Sequence, residues 1–145
     1  MSDPSNVRAA IDRINSRLCE LYAAGDSDGI ASKFAEDCWQ LPPHADPLIG
    51  REALRTFWEQ AFQWGSWRFT LESQDLAVAD RIAVERGKYT LRFAAGSASP
   101  PTVPSFEDHG NYVVMWRLDP DGRWRAVWDA PVSTVPLPAG GAEAR

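Results

Sequence analysis

The twenty residues from Trp39 to Trp58 constrain this chain more than any other stretch. An apolar run ending near Leu41 gives way to Pro42, Pro43 and Pro47. None of these prolines fits inside a helix or a central strand, so the chain must leave a strand and cross an exposed loop. Gly50 then admits a tight entry into the next element. Leu54, Phe57, Trp58, Ala61 and Phe62 recur at three- and four-residue spacings, the pattern of a helix with one buried face. That face has to lie on an apolar surface.

Upstream, Asp3 before Pro4 predicts a helix start, and Val7, Ile11, Ile14, Leu18 and Leu21 continue one apolar face until Gly25 stops it. Asp26 caps a second, short helix in which Ile30, Ala31 and Phe34 share a face, after a sharp corner. Cys38 is placed at a strand start. Downstream, stretches rich in β-branched and aromatic residues predict four strands, Trp67 to Ala79, Ile82 to Phe93, Asn111 to Leu118 and Trp124 to Val135. Short turns at Asp80-Arg81 and Asp119 to Gly122 favour antiparallel pairing, because a parallel crossover needs far more chain. The longer run from Ala95 to Pro104 reads either as a flap over one end of the sheet or as a plain disordered loop. Helices followed by an antiparallel sheet make an α+β fold.

With 145 residues, 44% of them hydrophobic, the chain has the size of one domain with its own core. Fifteen basic residues scatter among twenty acidic ones for a net charge of −5, which disfavours nucleic acid as a partner. The first residues lack the pattern of a signal peptide and no stretch approaches a membrane span, so a soluble cytoplasmic protein with no membrane partner is expected. Cys19 and Cys38 show no CxxC spacing and read as buried, reduced thiols. His44 and His109 have no ligand spacing, so no metal is expected. No phosphate-binding glycine loop follows a strand and no Gly-x-Ser-x-Gly motif is present, and no cofactor is expected.

Several short pieces, taken in order, resemble a known pattern. They are Ala24-Gly25-Asp26 with Gly29-Ile30, Phe34-Ala35-Glu36-Asp37, Leu41-Pro42-Pro43 through Gly50-Arg51-Glu52-Ala53-Leu54 and Phe57-Trp58, then Gly87 to Tyr89, Asp108 to Tyr112, and Asp121 to Arg125 with Asp129. Their order and spacing resemble the SnoaL-like family of the nuclear transport factor 2-like superfamily, which has a cystatin-like fold. The resemblance implies a cone-shaped α+β barrel, a strongly curved, mainly antiparallel sheet wrapped around three N-terminal helices. It spans residues 1–135 as a single domain, with a flexible tail over 136–145. It does not imply one function, because the superfamily includes isomerases, cyclases, dehydratases, epoxide hydrolases and proteins that only bind or dimerise.

Steroid isomerases of this superfamily use an aspartate base after the first strand, with a tyrosine and a protonated aspartic acid that share the enolate charge. Matching motif by motif puts Leu18 at the tyrosine, Pro42 at the base and Val114 at the acid. None of the three transfers or donates a proton, so that mechanism is not expected. His44, two residues after Pro42, is the one nearby group that could stand in.

Two carboxylates fall in otherwise apolar strands. Glu85 alternates with Ala83, Gly87, Tyr89, Leu91 and Phe93, and Asp129 shares a face with Val127 and, by the resemblance, points into the cone. Each is a candidate acid or base, or a carboxylate held by an arginine such as Arg117 or Arg125, by a tyrosine or by a backbone amide. His44 and His109 are candidate rim groups or exposed loop histidines.

The seven tryptophans and their aromatic neighbours fill a core, line a pocket or form an interface. Tyr22, Phe34, Trp39, Trp58 and Phe62 are placed around the mouth and floor of the cone by the resemblance, and Tyr89, Tyr112, Val114, Trp116 and Val127 fall on strand faces that could line it. Val113 and Met115 make the opposite face of their strand apolar too, so a homodimer through the sheet is expected. The function expected is binding of a small hydrophobic, carbonyl-containing molecule with proton transfer on it, by Asp129, Glu85 or His44. The alternative is a non-catalytic ligand-binding or dimerisation module.

Overall fold

The computed structural model describes residues 3–136. Three helices and six strands, the strands in one sheet, follow in this order: α1 (Pro4–Ala24), α2 (Ser27–Ala31), β1 (Phe34–Gln40), β2 (Leu48–Ile49), α3 (Arg51–Trp64), β3 (Gly65–Ala79), β4 (Ile82–Ala95), β5 (Phe106–Leu118) and β6 (Trp124–Ser133). The expected tail falls on residues outside those described, apart from Pro136.

The helix ends follow the capping logic of the sequence. Asp3 accepts from the Ser5 N–H at 2.9 Å, and Gly25 closes α1 at φ 69°, a left-handed conformation that glycine adopts without strain. Asp26 accepts from the Gly29 N–H at 2.9 Å to start α2. That helix ends at Ala31, so Phe34 is not on it. The ladder to β6 captures the chain first: the Ala126 N–H donates to the Lys33 carbonyl at 3.0 Å, and Phe34 pairs with Ala126. Cys38 accordingly lies within β1 rather than at its start, and is buried, while Cys19 is only half-buried. Burial pushes both thiols above their ordinary pKa.

The sheet order is β2-β1-β6-β5-β4-β3, antiparallel except for the parallel pair β1 and β6. It is open rather than closed and curls around the helices, with the Ile11 face of α1 and the Leu54 face of α3 fully buried in one core. β5 begins at Phe106, earlier than the expected Asn111, because Phe106 to Gly110 extend the ladder opposite Tyr89 to Phe93. The loop between β4 and β5 carries its own bonds: Ser99 Oγ donates to the Val103 carbonyl at 2.6 Å, and Val103 packs on the core. No helix among the described residues is long and apolar enough to cross a membrane.

A β-bulge in β6 decides which side chains of that strand face the interior. Met115 pairs with Trp128 and Trp116 with Ala126, so Val127 is the extra residue. The bulge shifts the strand's alternation by one, which turns Trp124 and Ala126 inward on one side of it and Asp129, Pro131 and Ser133 inward on the other. Trp124 is buried whereas Trp128 is 54% exposed on the outer face, although simple alternation places them together.

Candidate functional site

The inner face of the sheet and the helices enclose a cavity of about 550 Å³, a volume typical of small-molecule sites. Its wall is mostly aromatic and aliphatic. Leu18 and Tyr22 come from α1, Phe57 and Trp58 from α3, Phe69 and Leu71 from β3, Tyr89 from β4, and Tyr112, Val114 and Trp116 from β5. The rings interlock edge to face, with Tyr22 and Trp58 centroids 4.8 Å apart and Trp58 and Trp67 5.1 Å apart.

Asp129 faces this cavity from β6, opposite Val114. Gln40, its neighbour on β1, is buried and donates from Nε2 to Asp129 Oδ2 at 2.9 Å. The amide is oriented by Trp58, whose Nε1, a donor only, points at Gln40 Oε1 at 3.0 Å. A Trp58–Gln40–Asp129 relay of hydrogen bonds thus fixes the carboxyl. No lysine or arginine among the described residues pairs with it: Arg117 is engaged by Asp37 and Asp119, and Arg125 by Asp119 and Asp121. Burial raises the Asp129 pKa from 3.8 to about 6, with the nearby Glu85 charge adding to the rise and the Gln40 hydrogen bond opposing it. The result is a carboxyl poised to hold or release a proton near neutrality.

Glu85 is different. It is fully buried behind the wall and does not line the cavity. Its Oε2 accepts from Asn15 Nδ2 at 2.9 Å and from the Tyr112 hydroxyl at 2.6 Å, and its Oε1 accepts from Trp116 Nε1 at 2.9 Å. Three donors from α1 and β5 converge on it, so it ties helix to sheet rather than meeting a ligand. Glu85 is therefore corrected from a candidate acid or base to a structural acceptor. Burial, and then the bond to Glu85, hold the Tyr112 pKa well above its ordinary value, which keeps the hydroxyl a donor.

Gly87 makes that geometry possible. It pairs with Tyr112 across β4 and β5, and a Cβ there would sit 2.6 Å from the tyrosine hydroxyl and collide with the Glu72 carbonyl. Gly87→Ala is expected to cost about 2 kcal/mol, typical of forcing extra volume into a packed site. A thermal melt reads this, and an unchanged midpoint would show that the ring moves aside freely.

A second polar group, absent from the sequence-based candidates, lies on the cavity wall. Asp108 of β5 accepts from the Tyr89 hydroxyl at 2.7 Å and from the Ser133 hydroxyl. Continuing the inward alternation of Val114, Tyr112 and Gly110 back by one step would have found it. Gln40 was also missed, and only the parallel pairing of β1 with β6, invisible locally, brings it beside Asp129.

Of the other sequence candidates, His44 lines the cavity together with Pro42 and Pro43, at a φ of 58°. His109 is exposed on the outer face, its Nδ1 3.1 Å from Thr134 Oγ1. Tyr22, Phe34, Trp58, Tyr89, Tyr112, Val114 and Trp116 line the cavity. Trp39, Phe62 and Val127 do not. Trp39 is 41% exposed on the outer face opposite Ile49, Phe62 packs behind Tyr22 and Trp58, and Val127 is buried at the bulge. Among the described residues no group of histidine, cysteine or acidic side chains is placed to hold a metal.

A family model described as a SnoaL-like domain matches residues 16–127. No curated protein matches the sequence. Among solved structures, a conserved protein from Planctomyces limnophilus superposes with a TM-score of 0.79 at 20% identity, over 92% of this chain and 99% of that one. A nuclear transport factor 2-like protein with a cystatin-like fold from Novosphingobium aromaticivorans gives a TM-score of 0.72 at 18% identity, over 99% and 97%. A ketosteroid isomerase-like protein from Erwinia carotovora atroseptica gives 0.73 at 12% identity, over 88% and 96%. At such identities these likenesses establish the fold alone.

Proposed function

The chain belongs to the SnoaL-like domain family, and from that premise we propose that its cavity binds a small hydrophobic, carbonyl-containing molecule on which Asp129 transfers a proton. The observation that carries the reading is Asp129 itself, a carboxyl with a pKa raised to about 6, held by Gln40 on the wall of an aromatic cavity with no basic partner among the described residues. A structural carboxylate would sit with cations or several donors, as Glu85 does with its three. In the reaction class envisaged, isomerisation, cyclisation or dehydration, the ionised carboxylate removes a proton next to the carbonyl and the neutral acid returns it elsewhere. His44 lines the same cavity.

Deuterium uptake at the acidic C–H positions of 2-tetralone, a compact apolar ketone, tests this in heavy water. The wild-type protein should accelerate uptake over buffer, and Asp129→Asn should abolish most of that acceleration. If 2-tetralone binds and the two proteins exchange it equally, the proton-transfer reading fails and the non-catalytic binding module stands.

The outer face of the sheet supports a homodimer. Val84, Met115, Trp128, Trp39 and Ile49 are in register across five neighbouring strands, and Trp128 and Ile49 are each 54% exposed. A continuous apolar row of this kind marks an interface, and a twofold axis lets one patch cover itself. Sedimentation velocity should show a dimer at micromolar concentration for the wild type and a monomer for Trp128→Glu. A monomeric wild type would remove the idea.

A further inference from the structure

The formal charge on the cavity wall is one-sided. Asp108, Asp129 and Glu107 line it, and no lysine or arginine does among the described residues. Glu107 is paired at the rim with Arg92 at 2.9 Å, which leaves Asp108 and Asp129 as the inward acids. Six side-chain donors on the wall are directed at protein acceptors: Trp58 at Gln40, Gln40 at Asp129, Tyr89 and Ser133 at Asp108, and Tyr112 and Trp116 at Glu85. Around Asp108, whose neighbouring Tyr89 and Ser133 hydroxyls are thus committed, what remains for a ligand is acceptor lone pairs set in an aromatic wall, while the Tyr22 hydroxyl and the His44 ring line the cavity from α1 and from the loop after β1. A carboxylate or phosphate at the Asp108 end would lose its hydration, gain no donors in return and meet like charge.

We propose that the cavity selects an apolar molecule carrying hydrogen-bond donors, hydroxyl or ammonium, and rejects carboxylates and phosphates, with Asp108 the specificity-determining acceptor at the Tyr89 and Ser133 end. The proposal rests on the reading that the cavity holds a small apolar molecule, and adds its polarity. Two ends are defined. Asp129 and Ser133 face inward from one strand four residues apart, about 13 Å between Cα atoms at strand rise. An elongated ring system can therefore place its reacting carbonyl at Asp129 and a donor at Asp108. An ammonium gains further from the faces of the surrounding rings, so both donor classes share the same acceptor chemistry.

Three probes with one apolar body and different head groups test this: 2-naphthol, 2-naphthylmethylamine and 2-naphthoate, titrated calorimetrically into the full chain at about pH 8, where the amine is charged and the naphthoate ionised. Naphthoate should bind at least about tenfold more weakly than either of the others. In Asp108→Asn that gap should shrink at least about threefold, because the amide offers a donor where the carboxylate offered charge. Naphthoate binding as tightly as naphthol overturns the selection, and the wild-type comparison decides this even if the variant does not fold. A folded Asp108→Asn with an unchanged gap overturns the role of Asp108. If none of the three binds, the small-molecule reading falls along with this one. If all three bind alike, only the selection falls. The amine against naphthol comparison separates the two donor sources.

Discussion

Substituting Glu85 by alanine is expected to lower the stability of the fold by about 4 kcal/mol, in the range measured when a buried polar network loses its central partner. The loss comes from the three donors left behind. Asn15 Nδ2, the Tyr112 hydroxyl and Trp116 Nε1 all aim at one carboxylate that is fully buried. Removing it strands each of them, at roughly 1 to 3 kcal/mol apiece where no rearrangement rescues them, and leaves a void as well. Glu85→Gln should lie in between, at about 2 kcal/mol, since its carbonyl oxygen serves one side of the network while its NH2 faces donors on the other. Urea unfolding should show the midpoint falling in that order, alanine below glutamine, with little change in slope. An alanine variant within about 1 kcal/mol of wild type would mean that the donors find other partners, and that Glu85 does not tie α1 to the sheet.

How much of the fold and the cavity was legible in the sequence depended on whether a feature was local. Caps and breaks were legible, because Asp3, Gly25, Asp26 and Gly50 act on their own neighbours. The inward face of β4 was legible for the same reason: alternation from Ala83 to Phe93 places Glu85 correctly, although it cannot say that three donors from elsewhere will close over it. The last strand was not legible in this way. A single extra residue at Val127 reverses its alternation, and nothing in Trp124 to Asp129 announces a bulge, which is why Trp124 and Trp128 part company. Asp129 reaches the cavity on the far side of that bulge, beside a glutamine that lies 89 positions away in sequence. Trp39 was misplaced because aromatic residues suit either face of a two-sided strand, and only pairing with Trp128 and Ile49 assigns it to the outside. Asp108 was hidden by its company: Glu107, Asp108 and His109 together look like a polar loop until the ladder to β4 is seen to continue through them.

Asp129→Asn should make the protein more stable and less active at once, and the pH at which each change emerges is the sharper test. The folded-state pKa of Asp129 is raised to about 6 from 3.8, chiefly by burial. Below about pH 4 the carboxyl is neutral in both folded and unfolded chains and costs nothing. Between about pH 4 and 6 the unfolded chain gives up its proton first, so the folded state is progressively disfavoured, and above that window the penalty is constant at about 3 kcal/mol. Asparagine stays neutral throughout and its carbonyl oxygen can keep the bond from Gln40, so the variant should exceed wild type by about 3 kcal/mol at pH 8 and match it at about pH 4. Proton transfer should fall by roughly two to four orders of magnitude in the same variant, the usual worth of a positioned acid or base. A carboxylate present for structure would show the reverse sign, a loss of stability on replacement. If Asp129→Asn is less stable at pH 8, or its advantage is the same at both pH values, Asp129 is a supporting group like Glu85 and the catalytic reading has lost its residue.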